Sequence, residues 1–275
     1  MNRVLLAVFA HPDDESFGPG GTLAKYAAEG VDVHLICATR GEVGDSDVLD
    51  TGECEDLACQ RERELGCAAS VLGLKEVHLL DYWDSGMAGS EANRHPRALT
   101  QADPDLLAEQ VADLIRRLRP QVVLTFDPYG GYGHPDHIAM HRATVAAIER
   151  LPEEERPQKL YFTTLAGATM RWMVRLMPLF GVNPEAVGKN KDINLQAALE
   201  QALPVTTRID ISATYEAKSQ AAACHSSQLS GPASFWGRLP RWLVGRWWMT
   251  ETFHRAVPPF RRGERTETDL FAESE

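Results

Sequence analysis

Two short stretches of the chain concentrate groups able to do chemistry. Ala10-His11-Pro12-Asp13-Asp14-Glu15 packs one imidazole and three carboxylates into five residues, and positions 130–137 read G-G-Y-G-H-P-D-H, placing Tyr132, His134, Asp136 and His137 shortly after Asp127. Imidazole with carboxylate is a donor set of catalytic zinc sites, which take three protein ligands and keep one position for water. A further Asp beside such ligands can act as general base on that water. Taken singly, the first stretch reads equally well as a solvated acidic loop capping a helix, and the second as a Gly-rich turn with surface histidines. His137 and His141 have the i, i+4 spacing of a helical zinc pair, but the glutamate of H-E-x-x-H is missing, which assigns His141 to packing or to supporting a ligand.

The elements that must position these residues follow from hydrophobic pattern. Runs at 4–10, 31–38, 77–80 and 122–126 are nearly continuous in Val, Ile and Leu, as in strands buried on both faces. Helical patterns lie between them at 20–29, 53–72, 104–119 and 136–150. The pattern at 104–119 is the clearest, with Asp103 as cap, Pro104 in the first turn, and Leu106, Leu107, Val111, Leu114, Ile115 and Leu118 on one face. Alternating strand and helix implies an α/β fold, a doubly wound, Rossmann-like, mostly parallel sheet with helices on both faces. In the common strand order 3-2-1-4-5, the ligand crevice opens where the order reverses, between the first and fourth strands. Both H-P-D loops directly follow those two strands, which makes coincidence a poor account of them.

Beyond residue 160 the pattern loosens. Strands are expected at 159–165 and 205–211, an insertion or lid at 166–204, and a helix from 212 to about 228. Residues 1–165 thus form the catalytic core, with 166–275 completing the same domain. Trp236, Trp242, Trp247 and Trp248 are interleaved with Arg238, Arg241 and Arg246. That composition suits an interfacial helix, but Pro240 favours a packed lid or subunit interface, so no stable membrane insertion is expected and a homo-oligomer stays open. The last dozen residues, polar and acidic, read as a frayed tail.

With 275 residues, 44% of them hydrophobic, the chain can bury a full core. Its net charge of −11 repels phosphate backbones and argues against a nucleic-acid partner. The five cysteines are odd in number and include no C-x-x-C pair, so they read as reduced thiols. The apolar opening run meets charged residues at once instead of continuing to membrane length, which reads as a strand of a cytoplasmic protein.

Together the motifs A-H-P-D-D-E and G-H-P-D-H resemble the LmbE-like, or PIG-L, superfamily of metal-dependent N-deacetylases. The resemblance extends through Arg61-Glu62-Arg63-Glu64-Leu65, Leu72-Gly73, the D-S-G-M-A-G stretch at 84–89, His95-Pro96-Arg97 and Arg119-Pro120, and looks closest to deacetylases of the mycothiol and bacillithiol pathways. Lys218 and the H-S-S-Q at 225–228 resemble the family's C-terminal helix. The resemblance implies His11, Asp14 and His137 as metal ligands, Asp13 as general base, and His134 as oxyanion stabiliser or proton donor oriented by Asp136. It further implies Tyr132 assisting at the oxyanion, and Arg61 and Asp84 holding sugar hydroxyls. The implied cofactor is Zn2+, with Fe2+ or another divalent ion suiting the same ligands. The implied reaction removes an acetyl group from a small-molecule N-acetylglucosaminyl conjugate. A thiol-conjugate amidase using the same metal, and a non-catalytic sugar-binding metalloprotein, are the alternatives.

Overall fold

The computed structural model describes residues 2–44, 54–164, 167–187, 191, 193–228, 249–261 and 263–272. Its frame is one seven-stranded sheet in the order β3-β2-β1-β4-β5-β7-β6. Strands β1 (Val4–Phe9), β2 (Asp32–Thr39), β3 (Glu76–Tyr82), β4 (Val122–Thr125) and β5 (Lys159–Thr163) are parallel. All of β4 and nearly all of β1 and β2 are buried, which is why their sequences show no alternation. The chain winds outward from β1 to β3, then returns to lay β4 on the other side of β1. Successive right-handed crossovers in opposite directions put helices on opposite faces of the sheet. On one face α1 (Asp14–Phe17), α2 (Gly20–Ala28), α3 (Leu57–Leu72) and α9 (Tyr215–Cys224) pack together; on the other, α4 (Pro104–Leu118) packs on α6 (Pro135–Arg150).

Local rules account for the helix ends. Asp103 caps α4 by accepting from Asp105 N at 2.8 Å, with Pro104 at the first position, and Asp56 caps α3 through Cys59 N at 2.8 Å. Gly73 ends α3 at φ 73°, where a side chain would be disfavoured. Leu106, expected on the apolar face of α4, is instead 64% exposed, while Leu107, Val111 and Ile115 are buried.

The late segments join the same sheet. Between β5 and β6 (Thr207–Asp210) runs β7 (Thr250–Val257), antiparallel to both and absent from the sequence reading. Its buried positions alternate, but two of them are Glu251 and Arg255, so the pattern does not look apolar. Glu251 accepts Gly21 N and Thr22 N at the start of α2 and pairs with Lys218 of α9. The 166–204 insertion carries α7 (Ala168–Leu176) and α8 (Leu195–Gln201), and α8 lies against α5 (Gly130–Gly133), a single turn broken by non-helical backbone at Gly131 and Tyr132.

Two expectations are overturned. The chain end is not frayed through residue 272: Leu270 is fully buried, its N–H donates to Tyr26 Oη at 2.6 Å, and Glu267 binds Lys159, Tyr161, Thr207 and Arg255. Four of the five cysteines form disulfides, Cys54–Cys59 and Cys67–Cys224, leaving Cys37 buried and free. The second joins α3 to α9 across 157 residues of sequence, a pairing that spacing could not reveal. The tryptophans at 236, 242, 247 and 248 lie outside the described residues. Among those described, no helix is long and apolar enough to cross a membrane.

Candidate metal centre and active site

His11 follows β1 directly, and the chain then doubles back so that Asp14 Oδ2 accepts Ala10 N at 3.2 Å and His11 N at 2.8 Å. The loop after β4 ends in His134, whose ring caps α6 by accepting Asp136 N at Nδ1 (3.2 Å), with Pro135 in the first turn. His137 comes one turn later and stacks on Phe126, with centroids 3.9 Å apart. The sheet reversal thus brings both loops together, as the strand order requires.

Three candidate ligand side chains converge there. His11 Nδ1 lies 3.2 Å from His137 Nε2, Asp14 Oδ1 lies 3.3 Å from His137 Nε2, and Asp14 Oδ2 lies 3.6 Å from His11 Nδ1. Ligand bonds of 2.0–2.2 Å in a tetrahedral zinc site put neighbouring ligand atoms about 3.3 Å apart, so the donor set fits a divalent cation. The partners behind the rings fit as well. His137 Nδ1 is 3.1 Å from Gly130 O, and His11 Nε2 is 3.1 Å from Asp136 Oδ2 and 3.4 Å from Asp84 Oδ1. Each outer nitrogen therefore donates, leaving the inner nitrogen's lone pair for a metal. His134 has a ring nitrogen within 4.8 Å of those of His11 and His137 and completes a second grouping able to hold an ion.

The Asp136 carboxylate stands behind His11, held also by Ser85 N at 2.9 Å, whereas the resemblance implied that it orients His134. It is the backbone N–H of Asp136 that meets His134. Asp84, 4% exposed, is likewise turned inward, onto His11 and Gly86 N. Arg61 is 3% exposed; its terminal nitrogens donate to Gly41 O at 3.0 Å, Pro12 O at 2.5 Å and Asp13 Oδ2 at 3.2 Å. It grips the loops after β1 and β2 together with the candidate base. Gly41 makes that reach possible: its φ is 70°, and a Cβ there would lie 2.0 Å from Arg61 Nη1. His141 donates from Nδ1 to Phe126 O at 2.9 Å and packs on Phe162, so it serves packing.

Burial and neighbours set the charge states. Burial pushes the Asp13 carboxyl up to about 6 against the pull of Arg61. Burial alone would lower His11, but Asp84, Asp136 and Asp14 outweigh it and hold it well above the usual imidazole range. Among the described residues, four carboxylates lie around His11 with Arg61 beside them, a pocket that calls for added positive charge. His134 is held well below the usual range by burial and by His11 and His137. Burial raises the Tyr132 phenol, which therefore keeps its proton as a donor.

Glu15 and His225 were missed as functional residues. Their side chains are both 0% exposed and meet at 2.7 Å (Nε2 to Oε1), while Glu15 Oε2 accepts Asp13 N at 3.0 Å. Glu64 in turn holds Ser226 and Ser227 at 2.6–3.0 Å, locking the H-S-S-Q turn beside the catalytic loop. The third acid of A-H-P-D-D-E was visible in sequence; its partner 210 residues away was not.

Comparison with known proteins decides the family. The profile described as PIG-L, GlcNAc-PI de-N-acetylase, matches residues 6–148, which span both H-P-D loops. The chain belongs to this family. Among curated PIG-L relatives, a 1D-myo-inositol 2-acetamido-2-deoxy-alpha-D-glucopyranoside deacetylase of Acidothermus cellulolyticus is 38% identical over 86% of this chain and 82% of its own. A protein of the same description from Saccharomonospora viridis is 36% identical over 97% of this chain and 99% of its own. Among solved structures, GalB, the 4-carboxy-2-hydroxymuconate hydratase of Pseudomonas putida KT2440, covers 95% of this chain and 99% of its own at 24% identity and a TM-score of 0.59. That likeness concerns the fold; a hydratase on the same frame shows that the reaction must be argued from the site.

Proposed function

We propose that this PIG-L chain is a divalent-metal-dependent hydrolase that removes the N-acetyl group of an N-acetylglucosaminyl conjugate, with a glucosaminyl inositol derivative as the first substrate to try. The observation that carries it is the convergence of His11 Nδ1, His137 Nε2 and the Asp14 carboxylate, with Asp13 beside them under the hold of Arg61. Relatives described as deacetylases of such a conjugate supply the substrate class.

Amide hydrolysis needs an activated water, a counter-charge for the oxyanion and a proton for a poor amine leaving group. Zn2+ or Fe2+ held by His11, Asp14 and His137 would acidify a water and polarise the acetyl carbonyl. Asp13 takes the water's proton; its buried carboxyl, raised to about 6, lies nearer the operating range than an ordinary aspartate. His134, neutral and fixed through Nδ1 by Asp136 N, has Nε2–H left to face the developing negative charge, with the Tyr132 hydroxyl as second donor. Either Asp13 or His134 then returns a proton to the amine. Asp84 also supports His11, and Arg61 also holds Asp13, beside the sugar hydroxyls that both are proposed to bind. We also place the protein in the cytoplasm with a small-molecule substrate, although two disulfides are unusual in a reducing compartment.

The deciding assay follows acetate release from N-acetylglucosaminyl-inositol by the metal-loaded chain, beside cleavage of a bulky thiol S-conjugate. Acetate release slowed at least about a hundredfold by Asp13→Asn with metal content intact supports the reading. Turnover unchanged in that variant, or cleavage of the S-conjugate alone, overturns it.

A further inference from the structure

The other end of the parallel sheet carries a second set of metal-binding groups that the hydrolytic site does not use. His34 on β2 pairs in register with Glu76 on β3, and His78 follows two residues along, so all three project from one face. His34 Nδ1 and His78 Nε2 lie 3.2 Å apart, with the rings stacked at 9° and centroids 5.5 Å apart. The Glu76 carboxylate reaches within 3.8 Å of His34 Nδ1 and 3.6 Å of His78 Nδ1. One ligand atom from each of the three lies within 4.8 Å of the others. Both imidazoles are at most 9% exposed, while Glu76 is 57% exposed and opens the cluster to solvent.

We propose that His34, Glu76 and His78 form a second divalent-metal site, separate from the hydrolytic one, selective for ions of the Zn2+, Ni2+ and Cu2+ class. Imidazole nitrogens favour those ions over Mg2+ and Ca2+. The 3.2 Å nitrogen separation matches the spacing of about 3.3 Å between ligands on one tetrahedral zinc. The competing arrangement is a hydrogen-bonded chain. Arg117 Nη2, 3.2 Å from His78 Nδ1, donates to it, and His78 Nε2–H donates to His34 Nδ1. A metal takes the place of that last proton, and Arg117, on an exposed side chain, swings off to let Nδ1 carry a hydrogen. Removing Arg117 therefore tightens the site. Because β3 is the edge strand, the ion would tie the sheet's rim to β2 and stabilise the native chain by mass action.

The test titrates metal-free full-length protein with Zn2+ and with Ni2+, reading stoichiometry by calorimetry and metal analysis and stability by thermal melting. Two equivalents are expected for the wild type. One is lost in His78→Gln and weakened at least tenfold in the exposed-site variant Glu76→Gln, with turnover within twofold of wild type in both. The double variant Asp14→Asn/His137→Gln keeps this equivalent and its melting shift, and Arg117→Met binds it more tightly. A single equivalent in the wild type, survival of the second in both His78→Gln and Glu76→Gln, or its loss in the Asp14/His137 variant overturns the proposal. The readout is binding, so that outcome leaves the hydrolase reading standing.

Discussion

The two ends of the parallel sheet bring imidazoles and carboxylates together in opposite ways. At the carboxyl ends of β1 and β4, residues from two loops meet in a buried pocket where each ligand ring is backed by its own acceptor, Asp136 for His11 and Gly130 O for His137. At the amino ends of β2 and β3, the candidate ligands ride on the strands themselves, and the group behind His78 is the exposed Arg117 instead of an acceptor. The first end has a proposed base, proposed oxyanion donors and a way to fix tautomers. The rim cluster has ligand atoms alone. Chemistry therefore follows from what stands behind and beside the ligands, and a His-carboxylate set by itself supports only binding.

Breaking that contrast should give graded effects. Asp13→Asn removes the base beside the ligands and should lower kcat about 10²- to 10⁴-fold with metal content retained, measured by acetate release and metal analysis. Double replacement of Cys67 and Cys224 by Ser unties α3, the helix of Arg61, from α9; denaturant unfolding should show a loss of about 2–4 kcal/mol, with the rim cluster's metal affinity unchanged. In Asp136→Asn, His11 loses its carboxylate backing, and chelator competition should show catalytic-site affinity about 10- to 100-fold weaker. Glu76→Gln, on an exposed strand position, should change stability by less than about 0.5 kcal/mol and leave kcat/KM within twofold. A loss of kcat/KM or of catalytic-site metal affinity in Glu76→Gln comparable to that in Asp136→Asn would erase the distinction between the two ends.

What could be read in the sequence tracks how local its cause is. Strands β1, β2, β4 and β5 were legible because strands buried on both faces must be apolar throughout, and the half-buried edge strand β3 through its short run at 77–80; the strand order then placed both H-P-D loops at one crevice. β7 was hidden because its buried positions include Glu251 and Arg255, and the partners of Glu251 at the start of α2 lie about 230 residues away in sequence. The terminal segment looked frayed for the same reason, since its anchors Tyr26 and Lys159 lie far upstream. Motif spacing brought Asp136 to the site but could not say which imidazole its carboxylate would meet. That depended on Ser85 arriving from the β3 side to hold it.

Asp13 sits at φ 116° and ψ −28°, a backbone shape that glycine adopts freely and other residues resist at a cost of about 1–3 kcal/mol. Arg61 on its carboxylate and Glu15 on its N–H hold it there. The catalytic loop is thus a place where durability has been given up for reactivity, and the two should be separable. An Asp13→Gly protein should melt later than the native one and hydrolyse nothing.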